Sequence, residues 1–341
     1  IHGGILANRK IEDHLVEAKE LGIPMIDLVV VNLYPFKATI LKPGVTMADA
    51  IENIDIGGVT LIRAAGKNSD SVTLLTNPED YPVFVEGFKA GTLDDAFRKN
   101  MALKGFRHTA SYDTLISQYL AKELGDSELP EQMSMTYEKQ QSLRYGENPH
   151  QSAAFYREVS VLDGRLSGAV QLHGKELSYN NIGDASAAIE MIREFTDPTV
   201  VALKHANPCG VGSADTLFGA YERAYKADPV SIFGGIVVFN GEVDEATAVE
   251  MNKIFLEIVI APAYSEAALS ILKKKKNLRL LQLAEIMNPV TPEPYFHKKV
   301  DGGLLIQEAD HHIMDDENYK VVTDKQPTEQ EWADLKLAWK V

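Results

Sequence analysis

Met25–Leu33 reads MIDLVVVNL. The run is nearly continuously apolar, as a strand buried on both faces requires, and so it implies a parallel sheet covered by helices. Working outward, Ile11 to Leu21 places Leu15, Ala18 and Leu21 on one side of an amphipathic helix. Downstream, Thr46 followed by Asp49 has the pattern of a helix N-cap with an acid in the first turn. A helix carrying Leu61 and Ile62 precedes a second buried strand, Val72 to Leu75. Leu93 to Leu124 reads as a long helical stretch with Phe97, Met101, Ile116 and Leu120, kinked or divided at Gly105. This alternation predicts an α/β layered domain.

Gly125 to Gln132, GDSELPEQ, is polar, carries a proline and has no periodicity, so it reads as a linker. It sets the expected domains at residues 1–128 and 129–341. The second half restarts the α/β rhythm. Helices are expected over Asp184–Phe195, Ala214–Ala227, Asp244–Phe255 and Glu266–Leu272. Strands are expected over Val200–Leu203, Ile236–Phe239, Ile258–Ile260 and Leu278–Leu281. Met287 to Asp324, rich in Pro, Gly, His and acids, is left unplaced.

A length of 341 residues suits about two domains. Lys and Arg total 34 against 49 Asp and Glu, a formal charge of -15, which argues against a nucleic-acid partner. A few local cations can still bind a small anionic substrate. No apolar run reaches the roughly 20 residues of a membrane span, and no secretory signal opens the chain. Cys209 is the single cysteine, so a reducing, cytoplasmic compartment is expected. No C-x-x-C, H-E-x-x-H or calcium-loop pattern occurs, so no metal is expected. The chain opens at Ile1-His2-Gly3-Gly4 without Met and stops at Val341 inside an apolar pattern, which reads as truncation at both ends.

Polar residues gather after the apolar strands. VVALKHANPCG (Val200–Gly210) ends a strand in Lys204 and His205, and Asn207-Pro208-Cys209-Gly210 predicts a turn directly afterwards. Open α/β sheets bind ligands at such carboxyl ends. Beside an ammonium, His205 tends to stay neutral and able to accept a proton, while Lys204 could stabilise an oxyanion. The competing reading is a surface Lys beside a His that bonds the turn. Cys209 reads as a small buried thiol. SLRYGENPHQ (Ser142–Gln151) offers Arg144 as a phosphate fork and Tyr145 as a stacking ring, or else a solvated polar turn. NLYPF places Asn32 and Tyr34 at another strand end. IDIGGVTLIRAAGKN supplies Asp55, Gly57, Gly58 and Lys67; the glycines permit close ligand approach, and the alternative is a helix start capped by Asp55. Glu257 could hold an amine or ribose hydroxyl, or be a structural strand-edge carboxylate. His108 reads as a packed or capping histidine.

The motifs NLYPF, IDIGGVTLIRAAGKN, RYGENPHQ, LSYNNIGDA, LKHANPCG, SIFGGIVVF and EIVIAP occur in one order from Asn32 past Pro262. Together they resemble the bifunctional aminoimidazole carboxamide ribonucleotide (AICAR) formyltransferase and inosine monophosphate (IMP) cyclohydrolase family. The resemblance implies a methylglyoxal-synthase-like α/β sandwich followed by a cytidine-deaminase-like transformylase domain that lacks zinc, each partial here. It implies formyl transfer from 10-formyltetrahydrofolate, a co-substrate, to the 5-amino group of AICAR, then dehydrating closure to IMP. No covalently bound cofactor is expected. The family's cyclohydrolase Tyr, Asp and Lys match Tyr34, Asp55 and Lys67, and its transformylase Lys-His pair matches Lys204 and His205. Nucleotide-binding positions match Arg144, Tyr145, Asn181, Phe233, Gly234 and Glu257, with Asn32, Gly57 and Gly58 in the first domain. A homodimer is implied. Family members carry a KTLHP-like run before the HGGIL-type stretch, and an Asn, an Arg and a Phe beyond the position of Val341, so neither site is expected to be complete. The rival readings are a catalytically incomplete nucleotide-binding fragment and a relative of the zinc deaminases.

Overall fold

In the computed structural model, which describes residues 1–126, 129–159, 164–288, 295–309 and 320–341, the chain parts into two units, Ile1–Glu138 and Lys139–Val341. The expected boundary after residue 128 lies upstream of this division. Residues 127–128 of the expected linker, and 289–294 and 310–319 of the unplaced region, fall outside the described residues.

The first unit runs α1 (His2–Leu6), α2 (Glu12–Glu20), β1 (Leu28–Val30), α3 (Phe36–Ile40), α4 (Met47–Glu52), α5 (Gly57–Lys67), β2 (Thr73–Leu75), α6 (Tyr81–Ala90) and α7 (Asp95–Glu123). β1 and β2 pair in parallel, Val29 opposite Leu74. Burial of β1 on both faces is not observed: Val29 is buried, but Leu28 and Val30 are 38% and 48% exposed. Among the described residues the sheet is two strands wide, and β1 packs through one face only. Strand alternation puts Val29, Val31 and Leu33 on that face, where they join Ile5, Ile62, Ala65 and Leu74. Thr46 and Asp49 form the capping box expected at the start of α4, each side chain accepting from the other's backbone amide.

α7 is one continuous helix of 29 residues. Gly105 therefore neither kinks nor divides it. A Cβ there would lie 2.4 Å from Leu74 Cδ2 and 3.1 Å from Ile62 Cγ2, so this glycine lets α7 close on β2 and α5.

β3 (Tyr137–Leu143) begins at the division between the units and pairs with β4 (Ala153–Glu158). The second unit continues with β5 (Val170–His173), α8 (Tyr179–Ile192), β6 (Thr199–Lys204), β7 (Asn207–Ser213), α9 (Leu217–Ala227), β8 (Ile236–Phe239), α10 (Glu245–Met251), β9 (Ile258–Ala261), α11 (Glu266–Leu272), β10 (Arg279–Gln282), β11 (Tyr295–Val300), β12 (Gly303–Glu308) and α12 (Glu329–Lys340). Six strands form one sheet in the order β5-β10-β9-β8-β6-β7. β8, β9 and β10 are parallel, while β6 runs antiparallel to β8 and to β7. The central strands bury both faces. Val201, Leu203, Ile236, Val238, Ile258 and Ile260 meet Ala185, Ile189 and Ile192 of α8. Val200, Ala202, Val237, Phe239 and Val259 meet residues of α9, α10 and α11. The result is a three-layer arrangement. β11 and β12 form a hairpin of their own in the region left unplaced by sequence. No helix among the described residues is long and apolar enough to cross a membrane.

Gly105→Ala tests the close approach of α7. Helix propensity alone favours alanine by about 1 kcal/mol, but overpacking costs about 1–3 kcal/mol. Urea denaturation should show a net loss of stability, up to about 2 kcal/mol; an unchanged or stabilised variant would contradict this packing.

Candidate functional site

The reversed direction of β6 decides where the polar residues collect. Lys204 does end its strand, as expected, but β6 opposes β8 with Leu203 facing Ile236. The carboxyl end of β6 is therefore beside the amino ends of β8 and β9. Binding at the carboxyl ends of the parallel strands is not what this geometry offers. Glu257, just ahead of β9, is fixed at the same edge by donating its amide to the Gly235 carbonyl at 2.9 Å.

The turn also sits elsewhere than expected. Asn207–Gly210 belongs to β7, and the chain reverses at His205-Ala206, with Lys204 paired to Asn207. Both turn residues have positive φ, 53° and 58°, as a two-residue type I′ hairpin requires. Neither is glycine or asparagine, so the corner is strained. β7 is the edge strand, which explains how Pro208 is accommodated. Cys209 lies at a register shift, half-buried, its thiol donating to the Ala202 carbonyl at 3.4 Å; burial pushes the thiol up from its usual range.

His205 is exposed and Lys204 half-buried. The Lys204 ammonium donates to the Phe233 carbonyl at 3.0 Å, leaving two further N–H donors for a ligand. Phe233 is 58% exposed, and its ring is 5.6 Å from that of Phe255. Gly234 has φ +73°, a conformation that favours glycine, and donates its amide to the Phe255 carbonyl. Asn181 is 4% exposed. Its carbonyl completes a capping box with Ser178 at the start of α8, and its amide donates to Glu257 Oε2 at 2.9 Å. The structure thus gives Asn181 the task of holding Glu257. Arg279 on β10 donates its amide to the Glu257 backbone carbonyl and its Nε to that of Glu176, each at 3.0 Å.

Arg144 and Tyr145 follow β3 as a pair of their own, the guanidinium 5.7 Å from the ring centroid. The loop beyond closes on itself through Gly146, Asn148 and Gln151. Among the described residues, no hydrogen bond joins Arg144 or Tyr145 to Lys204 or His205.

In the first unit Tyr34 and Asp55 come together. One Asp55 oxygen accepts from the Tyr34 amide at 3.2 Å and the other from Gly58 at 2.6 Å. Asp55 thus accepts from the first turn of α5 from one residue ahead of the N-cap, Ile56, which makes no side-chain capping bond. A Cβ on Gly58 would meet both Asp55 oxygens and Leu33 within 3.0 Å, whereas one on Gly57 would meet nothing within 4 Å. Asn32 donates to the Tyr81 hydroxyl at 2.9 Å. Lys67 is not part of this group: it ends α5, ten residues from Gly57, about 15 Å along the axis.

Sequence reading missed Asp184, Phe255 and Tyr112. Asp184 is three residues after Asn181 and so on the same side of α8. The Tyr112 hydroxyl accepts from the Asp55 amide and donates to the Asn53 carbonyl. Of these, only Asp184 carried a signal, its place in LSYNNIGDA. His108 is half-buried, and burial lowers its pKa.

An AICARFT/IMPCHase bienzyme family model matches residues 65–341, and an MGS-like domain model matches residues 7–60. The chain belongs to the AICARFT/IMPCHase bienzyme family. The bifunctional purine biosynthesis proteins PurH of Ruminiclostridium cellulolyticum and Acetivibrio thermocellus are each 54% identical to it, over 100% of this chain. The chain spans 66% of the length of each. A solved structure, "Crystal structure of ForH", is 35% identical over 35% of this chain and 62% of that one, with a TM-score of 0.31. The fold of this family member is α/β, an MGS-like part preceding the bienzyme part. The family-model junction, between residues 60 and 65, falls within α5 rather than at the division between the units.

Asp184 supplies a test of the cluster's electrostatics. Burial, with repulsion from Glu257, raises its carboxyl above the usual range, against the Ala206 amide and His205. A raised folded-state value means the ionised form is disfavoured on folding, so the group costs stability once pH exceeds its unfolded value, about 3.9. Asp184→Asn should therefore melt higher than the parent at pH 7, with the difference fading as pH falls through the raised value toward 3. A lower melting temperature at pH 7 would contradict this balance.

Proposed function

We propose that this chain carries the chemistry of the last two steps of purine synthesis, formylation of AICAR and closure to IMP. The observation that carries the reading is the strained corner displaying Lys204 and His205 beside Glu257 and the exposed Phe233. The 5-amino group of AICAR is a weak nucleophile, because its lone pair is drawn into the imidazole and carboxamide. His205 removes its proton as nitrogen attacks the formyl carbon of 10-formyltetrahydrofolate. Lys204, steadied by the Phe233 carbonyl, stabilises the tetrahedral oxyanion or protonates the departing folate nitrogen. Glu257 and Gly234 contribute to nucleotide binding, and Phe233 offers an apolar face to a planar ring. Arg144 and Tyr145 belong to the proposal as a phosphate fork and a stacking ring.

In the second step the carboxamide nitrogen attacks the new formyl group and water departs. The reaction is intramolecular, so positioning supplies much of the rate. Tyr34 and Asp55, beside Gly57 and Gly58, form the group proposed to polarise the formyl oxygen and move protons. Asn32 lies at the end of the same strand run. Lys67 enters through the family resemblance, from the far end of α5. A homodimer and a cytoplasmic location belong to the same reading, with small-molecule partners only.

The test is kinetic. In a chain of its relatives' full length, His205→Ala should slow formyl transfer by about 10²–10⁴-fold while leaving closure of preformed formylated nucleotide unchanged. Equal formyl-transfer rates in parent and variant would contradict the assignment. Calorimetry with AICAR distinguishes turnover from binding alone: a parent that binds without turnover is a nucleotide-binding chain. Asp55→Asn should slow closure without affecting formyl transfer, and normal closure would remove Asp55 from the proposal. Lys67→Met, measured beside it, decides whether Lys67 shares that step.

A further inference from the structure

Tyr112 is a buried residue of α7, and its hydroxyl serves the segment that joins α4 to α5. The oxygen accepts from the Asp55 amide at 2.9 Å and donates to the Asn53 carbonyl at 3.1 Å. Two backbone groups of that segment thus find their partner in one side chain. The Tyr112 ring meets Phe36 edge-on, with centroids 6.0 Å apart. Phe36 is buried, and its amide donates to the Tyr34 carbonyl at 2.8 Å. A single residue of α7 therefore touches both segments that form the Tyr34–Asp55 group, one through its ring and the other through its hydroxyl.

We propose that Tyr112 is a positioning residue for ring closure: its hydroxyl pins the Asp55 backbone to α7 while its ring seats Phe36, and together these set Asp55 against Tyr34. The inference rests on the closure reading of Tyr34 and Asp55 and adds a residue to it. Asp55 is held at three points. Its two oxygens accept from the Tyr34 amide at 3.2 Å and the Gly58 amide at 2.6 Å, and its own amide is held by Tyr112. Those two bonds leave further lone-pair sites on the carboxylate for a substrate proton. Without the hydroxyl, the Asp55 amide and the Asn53 carbonyl must turn toward water to be paired, and that rotation swings the carboxylate out of place. Burial raises the Tyr112 pKa, so the hydroxyl keeps the proton it donates to Asn53. Tyr119 shows which part of the side chain matters. Its ring also meets Phe36 edge-on, at 5.8 Å, but among the described residues no hydrogen bond joins its hydroxyl to Asn53 or Asp55.

The experiment removes the hydroxyl and keeps the ring. In a chain of its relatives' full length, Tyr112→Phe, Tyr119→Phe, Asp55→Asn and the double variant Tyr112→Phe/Asp55→Asn are compared with the parent. The readouts are closure of preformed formylated nucleotide, formyl transfer, and hydrogen exchange at the Asp55 amide by NMR. Tyr112→Phe should lower kcat for closure by about 10–100-fold, the scale of a small misplacement of a reacting group. KM should stay within about twofold of the parent, with formyl transfer unchanged, and exchange at the Asp55 amide should rise. Tyr119→Phe should close at the parent rate. Because Tyr112 acts through Asp55, its loss should cost little once Asp55→Asn has removed the carboxylate: the double variant should be within about twofold of Asp55→Asn alone. Additive losses would mark Tyr112 as merely structural and overturn the proposal, as would unchanged Asp55 exchange in Tyr112→Phe. A slowed Asp55→Asn beside an unaffected Tyr112→Phe would refute the role of Tyr112 alone. Parent-rate closure in Asp55→Asn would instead refute the closure reading of Asp55, and the positioning role with it.

Discussion

The second unit depends on one strained reversal. At His205-Ala206 the chain takes two consecutive left-handed residues without a glycine, at a cost of about 1–2 kcal/mol each. What opposes that cost is β6 itself. Val200, Val201, Ala202 and Leu203 are all fully buried, and each large apolar side chain contributes about 1.5–3 kcal/mol on burial. Packed on both faces, β6 fixes where the corner must fall. A corner placed by such a core is a rigid mount for the two residues it displays.

The same reversal explains the composition of the edge. Because β6 opposes its parallel neighbours, its end meets the residues that precede β8 and β9, and the amino-terminal part of α8. Lys204, His205, Asp184, Glu257 and Arg279 therefore belong to one mixed-charge group in a chain with net charge -15. The polar groups are cross-tied. Asn181 serves the helix cap and Glu257 at once, and the Lys204 ammonium is steadied by the Phe233 carbonyl. Two of its N–H groups remain for an anionic atom, in keeping with the proposed oxyanion role.

Where periodicity is strong, the sequence was a sufficient guide. The strands at Val200–Leu203, Ile236–Phe239 and Ile258–Ile260 and the helices between them read directly from apolar runs and caps. Misreadings arose where local preference and tertiary packing disagree. Asn-Pro-Cys-Gly carries the stronger turn chemistry, yet the reversal occurs at His-Ala, two residues poorly suited to it. Gly105 has the look of a helix breaker and is instead a contact point between α7 and Leu74. The β11–β12 hairpin did carry a signal, Asp301-Gly302, with Gly302 at φ +69°, lost among the surrounding prolines and acids. Strand direction could not be read, because an antiparallel β6 and a parallel one have the same apolar pattern. Contacts such as Asn181 with Glu257, separated by 76 residues, follow from that direction and were equally out of reach.

The candidate residues were legible to different degrees for the same reason. Lys204 and His205 are neighbours in sequence and stay together in space. Tyr34 and Asp55 are joined by hydrogen bonds that only the fold supplies, and Lys67 is taken away from them by the length of α5. The central claim is that nucleotide binds at the amino-terminal edge of β8 and β9, against the His205 corner. A crystal structure of this chain with AICAR tests it most directly. The account predicts the nucleotide within hydrogen-bonding distance of His205 and Glu257, with Phe233 against its base. Nucleotide bound at the opposite, carboxyl-terminal edge of those strands, with this cluster empty, would contradict it.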